Sequence, residues 1–510
     1  MFIHEAVLYY VMSGSYVSGT GRRQLLLLPD MIEHYVEEDN PARFVDTFVD
    51  SLDLQELGFT YARLDEGAGR PSYDPHDMLK LYLWGYYNAI RSSRKLETEC
   101  HRNLEVMWLI CKLKPDFKTI SDFRKDNIDY MKGVFKAFNE QCLGNDLFGG
   151  KTIAIDGTKI KAWNSRDRNY RRDTVEKQIA EMDKKVEKYL KEMDENDARE
   201  KDEPKITNMK EKIDSMKKRT EKLRDIKKTM DSEKVDEISL TDPEARLMKT
   251  MHGIDVCFNG QISVDQKNHL IVDYDLTNDP TDYASLVPLT GSSREFLGSD
   301  GMESLSDRGY FSMENVKALS DQNVDAYIPE ARHGMPDKKT GMPKPEFHES
   351  RFTYNSEKDL YVCPEKNEMH YLRNQKTVKG KTFRIYSTTA CETCPARSGC
   401  TESKRGRWIW RWEHQDIIDQ HRKKMSLIGH EKMKKRKSMV EHPFGTMKRA
   451  MNAGYTLLRG KRRVKGEFGI IALTYNIKRV INIKHAEEGP DIPENTVNRT
   501  LFQGFHASTA

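Results

Sequence analysis

Hydrophobic spacing divides this 510-residue chain into stretches of different texture. From Asp39 to about Asn127 apolar positions recur at helical intervals. Asp39-Asn40-Pro41 reads as the cap of a helix carrying Phe44, Val45, Phe48 and Leu52 on one face, and Asp74-Pro75 opens another with Met78, Leu79, Tyr82 and Leu83. Further short helices are predicted over 91–103, 104–113 and 119–127. At 151 the pattern changes: KTIAIDGTKI alternates, is rich in Ile and Thr, and reads as a strand after Gly149-Gly150. Residues 173–232 return to steps of three and four (Val175, Ile179, Met182, Val186, then Ile213, Met216, Leu223) around a polar turn, which predicts an antiparallel helical hairpin. Strands follow at 253–265 and 269–278, a helix at 282–298, a strand end at 303–312, a helix, and a strand at 324–330. That succession predicts a mixed α/β sheet. Residues 333–347 are rich in Pro, Gly and Lys and read as a mobile loop; helices dominate from Gln415 to about Lys484.

The resulting domain plan is an unassigned leader (1–30), a helical N-terminal domain (31–148) and an α/β core (149–332 and 408–485). A helical-hairpin insertion (173–232), a cysteine-bearing insertion (333–407) and a disordered tail (486–510) complete it. A chain this long exceeds one ordinary core. The hairpin seam is expected to serve packing or self-association.

Charge alters this picture. The net charge of +4 conceals an asymmetry: residues 397–465 hold 20 Lys+Arg against 6 Asp+Glu, whereas residues 30–66 hold 11 acidic residues and 2 basic ones. A basic C-terminal third points to a polyanionic partner, nucleic acid foremost. In the N-terminal helices Arg91, Arg94, Lys95 and Arg102 are expected to be exposed, as in a helix-turn-helix reader of duplex DNA, although many small bundles share that pattern. No apolar run is long enough to span a membrane and no secretory signal is evident, so a cytoplasmic, nucleoid-associated protein is expected.

Three carboxylates stand out. Asp156 lies in AIDGTK, where Gly157 is expected to permit a tight turn; Asp307 lies in SDRGYFS at another strand end; Glu441 is embedded in KKRKSMVEHPFGTMKRAMN. Hard oxygen ligands from two strands and a helix suit Mg²⁺ or Mn²⁺, and two such ions can clamp an in-line phosphoryl transfer. Lys448, seven residues beyond Glu441, returns to the same helix face, and Pro443 predicts a kink or a fresh helix start near Glu441. Taken singly, each aspartate also fits a turn or cap.

Cys363 and Cys391-x2-Cys394-x5-Cys400 form a candidate structural Zn²⁺ set, with His370 as a substitute ligand; unliganded thiols are the alternative. Cys100, Cys111, Cys142 and Cys257 are isolated and read as core residues. Trp408, Trp410 and Trp412 alternate, with Arg407 and Arg411 on the opposite face. A packed strand face is the expectation, and stacking on an unpaired base is the alternative.

AIDGTKIKA, SDRGYFS and VEHPFGTMKR resemble the three catalytic blocks of bacterial insertion-sequence DDE transposases, in the group that includes the insertion-sequence four, five and eleven-eighty-two branches. DPHDMLKLYLWGY and TISDFRKDN resemble the same group's N-terminal domain, so the likeness covers about 39–485. The resemblance implies a ribonuclease-H-like core in which Asp156, Asp307 and Glu441 ligate metal. It also implies DNA contacts through Lys448, Arg449, Lys437, Lys434, Arg308, Arg94 and Lys95, and a homodimer on element-end inverted repeats and target DNA. The family signature places Tyr and Arg seven and four residues before the glutamate; here Lys434 and Lys437 stand there. A metal-dependent nuclease and a catalytically idle DNA-binding regulator are the alternatives.

Overall fold

The computed structural model describes residues 31–59, 72–164, 168–197, 203–233, 235–251, 253–330, 344–377 and 380–488. The leader, the segment 331–343 and the tail beyond 488 lie outside the described residues.

Six helices open the chain: α1 (Pro41–Asp50), α2 (Pro75–Tyr87), α3 (Ser93–Arg102), α4 (Leu104–Leu109), α5 (Phe117–Asn127) and α6 (Met131–Gly144). The first two begin where the sequence places them. Asn40 and Asp74 accept backbone N–H groups of Ala42 and His76, and each is followed by a proline whose missing donor costs nothing at that position.

The central sheet comprises β1 (Thr152–Lys161), β4 (Arg246–Thr250), β5 (Gly253–Asp265), β6 (Ile271–Thr277), β7 (Glu303–Ser306) and β8 (Asp325–Tyr327). Its order is β4-β5-β1-β7-β8, with β6 paired to β5 beside β4. β5 runs antiparallel to β1, β4 and β6, whereas β1, β7 and β8 are mutually parallel. The parallel strands are joined through α9 (Leu286–Leu297) and α10 (Met313–Asp321). The sheet is therefore mixed, as the sequence predicts.

The hairpin insertion consists of α7 (Arg172–Asp197) and α8 (Glu203–Glu233), rooted on a two-stranded ribbon of β2 (Asn169–Arg171) and β3 (Glu237–Ser239). Its small core of Val175, Leu223, Ile226, Met230 and Ile238 is separate from the main one.

A second sheet, β13-β12-β11-β10-β9, is wholly antiparallel. It spans β9 (Thr353–Asn355), β10 (Leu360–Val362), β11 (Glu368–Lys376), β12 (Thr382–Ser387) and β13 (Ile409–Trp412), with the short α11 (Arg397–Cys400) between the last two. This sheet thus runs on to Trp412, whose side chain is buried in the main core.

Two long helices close the chain, α12 (Gln415–Gly445) and α13 (Lys461–Glu488). α13 packs on α6, α2 and β6, so the N-terminal helices and the sheet share one hydrophobic core. Buried amides tie them together. Asn139 on α6 donates to the Ile271 and Val272 carbonyls at 3.0 Å, and Asn476 on α13 donates to the Asn139 side-chain oxygen at 2.9 Å and accepts the Ile271 N–H at 2.8 Å.

Arg91 departs from expectation. It is 4% exposed and pairs with buried Glu467 of α13 at 2.7 Å, while also donating to the carbonyls of Asn452 and Tyr455. A cation expected to face DNA instead locks two parts of the fold. Arg102 pairs with Glu99, and Arg94 lies over the Phe117 ring at 4.4 Å. Cys111, expected in the core, is exposed, whereas Cys100, Cys142 and Cys257 are buried. Among the described residues no helix is long and apolar enough to cross a membrane.

Candidate active site

The register of two parallel strands creates the site. Ile155 on β1 lies beside Ser306 on β7, so Asp156, which continues β1 against β5, and Asp307, which just follows β7, come side by side. Asp307 caps a short turn and accepts the Gly309 N–H at 2.8 Å. Asp156 accepts the Gly157 N–H at 2.9 Å. Burial pushes the Asp156 carboxyl up to about 6, helped by the negative charges of Asp307 and Asp282 and opposed by Arg436. A partly dehydrated carboxylate facing two others is under-compensated for charge.

Asp282 is a residue that sequence reasoning missed. Its Oδ1 accepts from Asn259 at 2.6 Å, Gln261 at 2.9 Å and Lys159 at 3.0 Å. Gln261 in turn accepts the hydroxyl of buried Tyr310. The available signal was the run of polar residues at alternate positions of β5, Asn259, Gln261, Ser263 and Asp265, all of them buried.

Gly157 is needed for a reason other than the expected turn. It sits within β1, paired with Gln261, and a Cβ there would stand 2.3 Å from the Gln261 side-chain nitrogen and 3.1 Å from Asp282 Oδ1. The glycine lets the amide-carboxylate network lie flat against the strand.

Helix α12 crosses the parallel strands and is docked by ion pairs at each. Arg422 meets Glu330 just past β8, Lys424 meets Asp325 on β8, Lys432 meets Glu303 on β7, and Arg436 meets Asp156 at 3.2 Å. The cations of this stretch are therefore divided: some hold the helix down, whereas Lys434, Lys437 and Arg449 are exposed. The helix runs unbroken to Gly445 with Pro443 in its last turn, followed by a π-helical turn at Thr446–Ala450. The expected break near Glu441 is absent: the bond that Pro443 cannot donate to the Met439 carbonyl is forgone without ending the helix, and the winding changes only beyond Gly445. Lys448 is likewise exposed, and partial desolvation of its ammonium lowers its pKa, while Cys257 and Asp156 act against that shift.

Glu441 lies five residues beyond Arg436, about 140° around the axis from the face that meets Asp156. It is exposed and pairs with Lys437 at 3.6 Å. The structure thus brings Asp156 and Asp307 together and leaves Glu441 on an adjoining helix face. Among the described residues no three His, Cys, Asp or Glu side chains stand ready-made as a metal site. Arg308 is exposed beside Asp307, and Lys95 is exposed on α3.

Trp412 is buried in the main core, Trp410 meets the Phe383 ring edge-on at 5.7 Å, and Arg373 lies over Trp408 at 5.7 Å. Arg411 faces the other way, buried over the Tyr354 ring and paired with Asp416 and Asp419. His370 points outward near Glu368, and the four cysteines 363, 391, 394 and 400 line one small cavity.

Two family models match. One, described as a transposase domain (DUF772), covers residues 30–126, and the other, a transposase DDE domain, covers residues 362–481. The second span holds Glu441 and Lys448; Asp156 and Asp307 lie outside both. No curated protein matches. A solved piggyBac transposase synaptic complex with hairpin DNA aligns over 91% of this chain and 80% of that one at 10% identity, with a TM-score of 0.34 that is too low to carry an argument about the fold. These two spans of the chain are therefore similar to transposase domains, the second to a transposase DDE domain.

Proposed function

We propose that this transposase binds the inverted-repeat ends of its element, frees a 3′-hydroxyl by hydrolysis, and joins that hydroxyl to target DNA. The observation that carries the reading is the side-by-side placement of Asp156 and Asp307 on two adjoining parallel strands, with Asp156 pushed up by burial and by the neighbouring carboxylates. The strand order, with β1, β7 and β8 parallel and β5 and β6 antiparallel to one side, supports a ribonuclease-H-like core.

The residues fit a hard divalent cation such as Mg²⁺ or Mn²⁺: the donors are carboxylate oxygens, and a cation would relieve the crowding at Asp156. Such ions, when bound, polarise the scissile phosphate and activate the attacking oxygen. Asp156 and Asp307 would hold them, with Glu441 as the third ligand once α12 turns that face inward. The π-helical turn just beyond Glu441 gives the helix end room to reseat, since such turns mark adjustable, functional places in helices. Arg436 neutralises Asp156 in the meantime.

Lys448 would position a phosphate near the cut. The exposed Lys434, Lys437, Arg449, Arg308, Arg94 and Lys95 supply salt-sensitive contacts to the DNA backbone. A pair of chains on paired ends is the working assembly.

The test is cleavage of a duplex carrying an element end, with Mg²⁺, by chains altered at Asp156, Asp307 or Glu441 to Ala. Loss of cleavage with end binding retained supports the assignment, and unaltered cleavage in any of the three removes that residue from it. Joining of cut ends to a second duplex separates a transposase from a plain nuclease.

A further inference from the structure

We infer that Cys363, Cys391, Cys394 and Cys400 bind one structural zinc ion that staples the β9–β13 insertion. The inference is independent of the cleavage reading and draws on different residues.

Three separate pieces of chain deliver the thiols to one place. Cys363 follows β10, Cys391 lies in the 3₁₀ turn Thr389–Glu392 after β12 with Cys394 just beyond it, and Cys400 ends α11. All four line one cavity of about 30 Å³, room for a single small ion rather than a substrate. Four thiols around one such cavity suit a tetrahedral thiolate site.

The backbone around Cys363 is shaped for a thiolate. The chain doubles back, so that the Cys363 N–H donates to the Asn367 carbonyl at 3.0 Å and the Lys366 N–H to the Cys363 carbonyl at 2.8 Å. Lys366 takes a left-handed φ of +61°, and the Asn367 N–H then points at Cys363 Sγ at 3.3 Å. An N–H aimed at sulfur stabilises the anion more than the thiol.

A second observation is Arg407, which lines the same cavity. Its Nε is buried and finds no hydrogen-bond partner among the described residues. A buried guanidinium N–H with no acceptor is costly beside neutral thiols. Beside a zinc ion with four thiolates, which carries net negative charge, the guanidinium becomes the counter-ion.

The insertion also needs such a staple. Its own core holds five buried residues, Phe352, Tyr361, Met369, Tyr386 and Ile409, under a five-stranded sheet. Folding units with so small a core depend on cross-links or metals. All eight cysteines are free, so no disulfide supplies the link. The sulfurs surround the cavity without being set as a finished metal site; the ion would draw them in, each ligating thiol releasing its proton. His370, on the outer face of β11, is not among the ligands.

The test uses the full chain, expressed in zinc-containing medium and purified without chelator or metal-affinity resin. Atomic emission is expected to find one zinc per chain, released by a thiol-directed mercurial. The Cys391→Ser and Cys400→Ser variants are expected to lose it, and Cys111→Ser to keep it. Since those variants can fail to fold, the wild-type chain grown with cobalt in place of zinc gives the independent reading: intense visible bands of tetrahedral Co²⁺ and a thiolate-to-cobalt charge-transfer band. A folded wild-type chain without metal overturns the inference, whether its thiols titrate free or as disulfides. Weak octahedral cobalt bands, or full zinc retention in Cys363→Ser, overturn the four-thiolate set.

Discussion

Arg436 places its guanidinium 3.2 Å from Asp156, so a cation from α12 faces the carboxylate of β1. The pairing compensates only in part, since burial still holds the Asp156 carboxyl at about 6 against an ordinary 3.8. The native state then binds this proton more tightly than the unfolded chain does. Stability at this residue is therefore greatest below pH 3.8, falls as pH rises through about 6, and stays level above. Asp156→Asn removes that loss. Its melting temperature is expected to exceed that of the wild type at pH 7, by the equivalent of about 1–3 kcal/mol, with the difference closing as pH falls towards 4. Thermal melts of both chains across that range check it. Arg436→Ala, which takes away the opposing cation, is expected to shift the same window upward.

Gly157→Ala tests the network around Asp282. The added methyl would meet the Gln261 amide at 2.3 Å, and the strand partner leaves it no room. A destabilisation of about 1–3 kcal/mol is expected, as for other overpacked sites. Cleavage is expected to fall further than end binding, because the displaced amide also holds Asp282 and Tyr310. Denaturant titration and a cleavage assay on the same preparation separate the two effects.

The Arg91–Glu467 pair is buried on both sides, and Glu467 also accepts the N–H groups of Leu457 and Leu458. Arg91→Ala leaves a buried carboxylate without its cation. A loss of about 3–5 kcal/mol is expected from either single truncation, and less than the sum from both together. Urea unfolding of the singles and the double decides it; additive losses would show that the two side chains do not act as a pair.

The cations of α12 are expected to sort by what they already touch. Lys434→Ala and Lys437→Ala, at exposed positions, should each reduce the salt dependence of end binding by about one unit of slope while leaving stability unchanged. Lys432→Ala should leave the slope alone and lower stability, because its ammonium is engaged by Glu303. Binding isotherms at several salt concentrations, with melts alongside, distinguish the classes.

Local chemistry was legible wherever a residue's role is set by its neighbours in sequence. Asn40 and Asp74 cap their helices, β1 and β5 alternate or run apolar as strands do, and the three catalytic-type blocks carry their acids in plain view. What could not be read was set by partners far along the chain. Nothing near Arg91 announces Glu467, 376 residues away. Nothing in DPTDYAS shows that Asp282 will sit against Gly157, and β9 and β10, with three residues each, lack the length that makes a periodic signal.

The sequence by itself determined the element types, the basic C-terminal third, the set of acids and the cysteine cluster, because each depends on residue identity and short-range spacing. The tertiary structure alone decided which charges meet. Strand register put Asp156 beside Asp307, and the 3.6-residue turn of α12 aimed Arg436 at that pair while carrying Glu441 to another face. The pairing of charges depends on rotation and register across elements, and a one-residue shift in either would exchange one partner for another.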